Sequence, residues 1–223
     1  MKRGIVCLLL LGSFFCLPQV KSQDFFEGTI KFKVEAKGPM AKMLKENEFN
    51  DELTMHMREG DYIVLLGGGR YPKTFLFIAD SNYEYSIDMS KKMAYKFSPH
   101  ADKARESARQ AVKTPSMAKP TGKQQEVNQI MCDEYVMKKK DVIFYYYVHD
   151  DYRINRALFP KRTRAKASFL AQGLEGRIPL KTIKRQKDLM VITTATLIKP
   201  ATFDKALFEI PPGFKVKGRD YRW

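Results

Sequence analysis

The sequence predicts an α+β domain, in which a few short helices pack on an antiparallel β-sheet. The first observation is the run from Phe26 to Lys37, where apolar and polar residues alternate as on a strand with one buried face. The second is a series of similar short runs between residues 53 and 97, separated by turn residues. The third is a change of period after Pro99, where small apolar residues recur at helical spacing.

Residues 1–22 have the composition of a secretory signal peptide. Two basic residues precede an apolar run, and Val20 to Ser22 offers the cleavage site. The apolar run is shorter than the roughly 20 residues that a membrane helix needs. A lipoprotein signal ending at Cys16 is the weaker alternative, because bulky aromatic residues precede that cysteine. We therefore expect one domain, residues 23–223, exported to the periplasm, the cell envelope or the extracellular space.

The mature chain is expected to be strongly basic. The full sequence has 40 Lys and Arg against 25 Asp and Glu, and residues 1–22 contain three of the basic residues and none of the acidic ones. The resulting positive field attracts anionic partners such as phospholipid headgroups or acidic polymers. We expect no nucleic-acid partner, because export separates the protein from nucleic acid. After cleavage Cys132 has no cysteine to pair with, so we expect it to pack as a small apolar residue.

The first half of the mature chain is predicted to be an antiparallel meander. After the strand that starts at Phe26, the predicted strands are Leu53–Arg58, Tyr62–Leu66, Thr74–Ala79, Tyr83–Asp88 and Met93–Phe97. Between the first two strands, Met40, Met43 and Leu44 share one face of a short predicted helix. A second helix is predicted at 101–112. Residues 114–123 contain two prolines and a glycine, and they predict a loop or lid hinge within the same domain.

The second half is predicted to add four strands and a rigid C-terminal segment. The strands are Cys132–Lys138, Val142–Val148, Ile178–Lys184 and Leu189–Ile198. Asn155 to Gln172 predicts one or two short helices. The segment after Pro200 is stiffened by Pro211 and Pro212, and we expect its large apolar residues, Phe208 among them, to be anchored in the interior.

Three short motifs resemble the LolA-like superfamily, that is, lipoprotein localisation factor A and its relatives. The sequence F-E-I-P-P-G-F from Phe208 to Phe214 resembles the closing segment of that superfamily. The Cys-x-x-Tyr spacing at Cys132, ahead of an aromatic strand, and the Gly, Pro and Leu of 176–180 are similar to elements of a secreted domain family of unknown function within it, found mainly in Gram-negative bacteria. The resemblance implies a half-barrel, whose concave face is packed or covered by the helices, and a lipid or lipidated polypeptide held between them.

The concave wall of such a half-barrel would be lined by apolar residues from three of the predicted strands. These candidate lining residues are Ile30, Phe32, Val34, Leu53, Met55, Met57, Phe75 and Phe77. Methionine and phenylalanine are adaptable contacts for an acyl chain. The alternative is a wall filled by helices around Met43 and Phe169, which would leave no room for a ligand.

Basic residues form local clusters that are candidate contacts for an anionic surface. They are Lys138, Lys139, Lys140, Lys161, Arg162 and Arg164, with a further group at Lys181, Lys184, Arg185 and Lys187. No nucleophile motif and no metal-ligand spacing accompanies them. His149 lies beside Asp150, but neighbouring residues on a strand point to opposite faces, which disfavours a shared metal. We therefore expect no catalytic residue, metal or cofactor.

The sequence supports two functional hypotheses. The first is an exported, non-catalytic carrier of the cell envelope that holds a lipid or lipidated polypeptide in an apolar cavity. The second is a structural or interaction module with a filled core, whose basic surface docks an anionic partner. Lipid that copurifies with the protein is expected under the first hypothesis alone.

Overall fold

The computed structural model describes residues 25–46, 50–68, 73–81, 83–97, 117–155, 158 and 173–219, and within these ranges the chain is nearly all sheet. A short helix, α1 (Ala41–Glu46), and a 3-10 helix (Lys205–Phe208) interrupt the strands. The strands are β1 (Gly28–Lys37), β2 (Glu52–Arg58), β3 (Asp61–Gly67), β4 (Lys73–Ile78), β5 (Tyr83–Asp88), β6 (Met93–Phe97), β7 (Lys119–Val127), β8 (Ile130–Lys139), β9 (Val142–Arg153), β10 (Arg177–Gln186), β11 (Leu189–Pro200) and β12 (Lys215–Arg219).

The strands form one open, curved sheet in the order β12-β6-β5-β4-β3-β2-β1-β11-β10-β9-β8-β7. β1 is the seam between the two halves, because it pairs with β2 on one side and with β11 on the other. Neighbouring strands are antiparallel, except β12, which runs parallel to β6. These directions bring the end of β1, the β8–β9 turn and the β10–β11 turn to the same end of the sheet.

The main core packs against one face of the sheet. The alternation of β1 is confirmed, since Ile30 and Phe32 are buried while Lys31 and Lys33 are exposed. The core continues across both halves of the sheet through Met55, Met57, Tyr62, Val64, Phe75, Phe77, Cys132, Tyr147, Ile178 and Leu180. Burial of this apolar surface is the main favourable contribution to the free energy of folding.

A second core lies on the opposite face of β4, β5 and β6. Leu76 lies between two residues of the main core and therefore points the other way. It packs with Tyr85 and Ala94 under Phe208, and the partly buried residues of the same C-terminal segment surround this contact. An extended segment with a single 3-10 turn thus covers this face.

The predicted antiparallel sheet is confirmed, but the α+β class with several helices is wrong. In the described residues, helical structure is limited to α1 and the 3-10 helix. The prediction placed the helices on the concave face of the sheet, but no described residue of α1 or of the 3-10 helix belongs to the main core, and the second core is covered by the extended C-terminal segment. The helix predicted at 101–112 lies outside the described residues, and so do nearly all of residues 155–172.

The loop predicted at 114–123 is wrong for residues 119–123, which belong to β7. β7 pairs with β8 and forms one edge of the sheet, and the register shifts between Pro120 and Gln124. Proline is compatible with an edge strand, because no second neighbour needs its missing N–H. Residues 114–116 lie outside the described ranges.

Candidate functional site: the basic end of the sheet

Three chain connections meet at one end of the sheet, which we call the basic end. They are the link from β1 to α1, the β8–β9 turn at Lys140 and the β10–β11 turn at Lys187. Strand register brings them together, since Lys37 on β1 pairs with Met190 on β11, and Arg185 on β10 pairs with both Met190 and Ile143. Neighbouring strands are about 4.8 Å apart, so all three connections lie within about 20 Å.

Gly38 allows the first and third of these connections to pack closely. Its φ of 103° is in the region that favours glycine, and a Cβ at this position would lie 2.7 Å from the carbonyl oxygen of Asp188. The next turn is then tied to the same carbonyl, because the backbone N–H of Met40 donates to Asp188 O at 3.2 Å. This contact holds the start of α1 against the β10–β11 turn.

An open hollow of about 390 Å³ lies between these connections. Its apolar lining comes from half-buried side chains of β9 and β11, namely Ile143, Leu189 and Met190. Its polar lining includes Lys37, Arg185, Lys187, Asp141 and Asp188. The hollow therefore combines an apolar floor with a rim in which positive charge predominates.

The positive charges at the basic end are mostly unneutralised. Lys138, Lys139, Lys140, Arg185 and Lys187 are all exposed. Within the described parts of the chain, the lysines at 138, 139, 140, 184 and 187 have no carboxylate oxygen within 4.0 Å. Such a cluster in water has a local positive potential that attracts an anionic surface.

Two side chains at this end do have partners. The guanidinium of Arg185 lies 5.7 Å from the centre of the Tyr145 ring, close enough for a cation–π contact. The ammonium of Lys37 is 4.0 Å from a carboxylate oxygen of Glu35, which also pairs with Lys33 at 3.1 Å. These exposed ion pairs leave the excess of positive charge in place.

The sequence-predicted basic residues are partly brought together. The structure places Lys138–Lys140 and the group at 184–187 in adjacent turns of one end, whereas Lys181 points toward Gln125, whose Oε1 accepts from its ammonium at 3.1 Å. Lys161, Arg162 and Arg164 lie outside the described residues. Sequence reasoning missed the contribution of Lys37, Met40 and Met43, because their approach to the two basic turns depends on strand register.

Seven of the eight predicted lining residues, all but Val34, belong to the main core or pack against it. Six of them, Ile30, Phe32, Met55, Met57, Phe75 and Phe77, have an exposed fraction of 3% or less. Val34 and Leu53 are half-buried. Side chains this inaccessible to water are equally inaccessible to an acyl chain in the same conformation.

Buried polar groups elsewhere in the sheet have structural partners. Glu134 on β8 accepts from the Tyr147 hydroxyl at 2.7 Å and from the Thr121 hydroxyl at 2.9 Å. Burial raises the pKa of the Tyr147 hydroxyl to about 12, and the bond to Glu134 acts in the same direction. This arrangement ties the edge strand β7 to β8 and β9.

Asp150 has hydrogen-bond partners, and Cys132 is weakly reactive. Asp150 accepts from Arg177 at 2.6 Å and from Arg153 at 2.8 Å, and these bonds lower the pKa of its carboxyl. Burial raises the pKa of the Cys132 thiol to about 11, which keeps it protonated and poorly nucleophilic. Among the described residues, no group of three or more His, Cys, Asp or Glu is arranged to hold a metal.

No protein-family model matches the chain, and no curated protein matches it. Similar solved structures include PNGF-II in two crystal forms, at 11% and 13% identity over 86% of this chain, with TM-scores of 0.47 and 0.48. The chain spans about a third of the length of PNGF-II, covering 32% and 31% of the two structures. LprF from Mycobacterium bovis is similar at 6% identity and a TM-score of 0.31, over 79% of this chain and 89% of that one. Similarities at this level carry no argument about function, and the LolA-like resemblance stays a prediction from the motifs.

In the part of the chain that the structure describes, no helix is both long enough and apolar enough to span a bilayer.

Proposed function

We propose that this protein is an exported, non-catalytic binding module of the bacterial cell envelope, which docks on an anionic partner through the basic end. The observation that carries the proposal is the convergence of the Lys138–Lys140 turn, the 184–187 turn and Lys37 at one end of the sheet. Separate basic patches on a protein surface are common and uninformative. The convergence of these basic residues at one end of the sheet gives a single positively charged surface, which is complementary to an anionic surface.

The envelope location is supported by the N-terminal sequence, which has the features of a signal peptide. The non-catalytic role is supported by the state of the titratable groups that the structure describes. Glu134 accepts two hydroxyl hydrogen bonds, Asp150 accepts bonds from two arginines, and burial keeps the Cys132 thiol protonated. These contacts disfavour a role for any of the three as a base or nucleophile.

The carrier hypothesis is less well supported. A cargo on the main core side would have to separate the six lining residues that are now almost fully buried. Exposing them to a ligand-sized opening costs on the order of 10 kcal/mol before any contact with cargo repays it. That is comparable with the whole stability of a typical domain. Docking through the basic end requires no such change.

A binding measurement on mature protein tests the proposal. The probes are vesicles of phosphatidylcholine with and without 30% phosphatidylglycerol, and immobilised heparin as an acidic polymer, all at low salt. The variant Lys139→Glu/Lys140→Glu/Lys187→Glu changes exposed residues of both basic turns. Each basic residue near an anionic surface contributes about 1 kcal/mol, so we expect the variant to weaken binding by about 100-fold or more.

A matched control separates this site from net charge. Lys31→Glu/Lys123→Glu/Lys199→Glu changes the total charge by the same amount, at exposed positions away from the basic end. We expect this control to retain most of the binding. Equal loss in the two triple variants, or no binding by the unmodified protein to any anionic probe, contradicts the proposal. Stoichiometric lipid in an organic extract of the purified protein would favour the carrier hypothesis instead.

A further inference from the structure

We propose that the anionic partner is the surface of a lipid bilayer, and that Met40 and Met43 insert into it while the surrounding lysines contact the headgroups. This inference rests on the proposed function and deepens it by naming the partner. The occupant is a membrane that contains anionic phospholipid, and the feature that points to it is the pairing of exposed apolar side chains with the basic cluster.

Two methionines at the basic end are partly exposed. Met40 exposes 42% of its surface and Met43 exposes 47%. Met40 immediately precedes α1 and Met43 lies in its first turn, three residues further along the chain. Unbranched methionine side chains adapt readily to an irregular apolar environment such as the boundary of the acyl layer.

The backbone fixes the position of these methionines relative to the lysines. The N–H of Met40 donates to Asp188 O at 3.2 Å, and the N–H of Ala41 donates to Gly38 O at 3.0 Å. The N–H of Leu44 then donates to Met40 O at 3.2 Å, which closes the first turn of α1. The hydrogen bond from Met40 to Asp188 therefore holds both methionines beside the β10–β11 turn, which also lines the hollow.

Apolar and basic side chains line the same hollow at this end. Ile143, Leu189 and Met190 lie in the hollow beside Lys37, Arg185 and Lys187. An acidic polymer would contact the charges alone and would gain nothing from the methionines. A bilayer surface offers both chemistries, because its phosphates lie directly above an apolar layer into which amphipathic segments insert.

The first test removes the apolar contribution and keeps the charge. The probes are the phosphatidylglycerol-containing vesicles and heparin described above. We expect Met40→Ser/Met43→Ser to weaken vesicle binding by about tenfold or more and to leave heparin binding unchanged, since partial insertion of two methionines is lost only with the vesicles. Met131→Ser is the matched control, because Met131 is 53% exposed but lies at the opposite end of β8 from Lys139.

The second test reports insertion directly. The chain has a single tryptophan, Trp223, so Met43→Trp in a Trp223→Phe background places one fluorophore on α1. We expect a blue shift on addition of anionic vesicles and quenching by lipids with brominated acyl chains. Met131→Trp in the same background is expected to give neither signal.

The outcomes separate this inference from the function on which it rests. Loss of vesicle binding in the double methionine variant, together with a blue shift and quenching at position 43, supports bilayer insertion. If that variant binds vesicles like the unmodified protein and position 43 gives no signal, the inference is wrong, while loss of binding in the charge variant still supports the proposed function. If the unmodified protein binds neither vesicles nor heparin, the proposed function itself fails.

Discussion

At the scale of single residues, polar side chains buried in the sheet are held by specific donors. Glu134 is the clearest case, because its exposed fraction is 9% and each of its carboxylate oxygens accepts a hydroxyl hydrogen bond. A carboxylate buried in this way is costly to desolvate unless those bonds are made. The hydroxyl groups of Thr121 and Tyr147 therefore contribute to the stability of the β7–β8–β9 edge.

Tyr147→Phe is expected to destabilise the protein by about 1–3 kcal/mol, because it removes one donor from a buried carboxylate. Urea unfolding followed by circular dichroism measures this loss. The neighbouring Tyr146→Phe is the matched control, since Tyr146 is also buried but its hydroxyl has no hydrogen-bond partner among the described residues. We expect Tyr146→Phe to change stability by about 0.5 kcal/mol or less. Equal losses in the two variants would contradict a specific role for the bond to Glu134.

His56 makes stability depend on pH. Its Nδ1 is 2.9 Å from the Thr29 hydroxyl oxygen, and its ring packs edge-on against Phe203 at 5.5 Å between centres. Burial, and secondarily the charge of Lys31, lower the pKa of His56 below its ordinary value of 6.5. The folded state therefore binds a proton less readily than the unfolded state. The contribution of His56 is fully present above pH 6.5 and is lost as the pH falls below it.

We expect the free energy of unfolding to fall between pH 7.5 and about pH 5, and to fall less in His56→Gln. The difference between the two proteins isolates His56, because the carboxyl groups with shifted pKa values are present in both. Chemical denaturation at a series of pH values measures it. Parallel curves for the two proteins over this range would show that His56 titrates alike in the folded and unfolded states.

At the scale of elements, strand alternation was sufficient to predict most of the sheet but not its edges. β1 and β2 were predicted correctly because one face of each is buried, which forces apolar and polar residues to alternate. β7 carries no such pattern, since all but two of its residues are exposed, and it contains Pro120 and Gly122. β12 is likewise exposed from Lys215 to Gly218. Edge strands of this kind are specified by a partner strand rather than by their own sequence.

The sequence predicted the separate basic clusters of the candidate site but not their convergence, for a similar reason. The Lys138–Lys140 turn and the basic residues near Arg185 are visible as clusters in the sequence. Their approach to Lys37 follows from β1 pairing with β11 and β10 pairing with β9, contacts between residues more than 100 positions apart in the first case. Local periodicity carries no information about such distant pairing.

At the scale of the whole molecule, the C-terminal segment connects β11, in the middle of the sheet, to the edge of the sheet beside β6. β11 ends at Pro200, and the chain then crosses the outer face of β4–β6 before it returns as β12 beside β6. The N–H of Lys215 donates to Lys92 O at 3.0 Å at the start of this last strand. The crossing carries the chain from the end of the sheet where β11 stops to the opposite end, where β6 begins. β12 therefore starts beside the start of β6 and runs parallel to it.

The anchor of this crossing segment is Phe208, whose exposed fraction is 1% and which packs on Leu76 and Tyr85. We expect Phe208→Ala to cost about 3–5 kcal/mol, through lost burial and the cavity left behind. That is a large part of the roughly 5–15 kcal/mol that stabilises a typical domain, so thermal unfolding should occur at a clearly lower temperature. Leu207→Ala in the same 3-10 helix is the matched control, because Leu207 is 47% exposed and its truncation is expected to cost about 0.5 kcal/mol or less. If Phe208→Ala unfolded at the same temperature as Leu207→Ala, the outer face of β4–β6 would not depend on the C-terminal segment for its cover, and the segment would be an appendage of the sheet rather than part of its core.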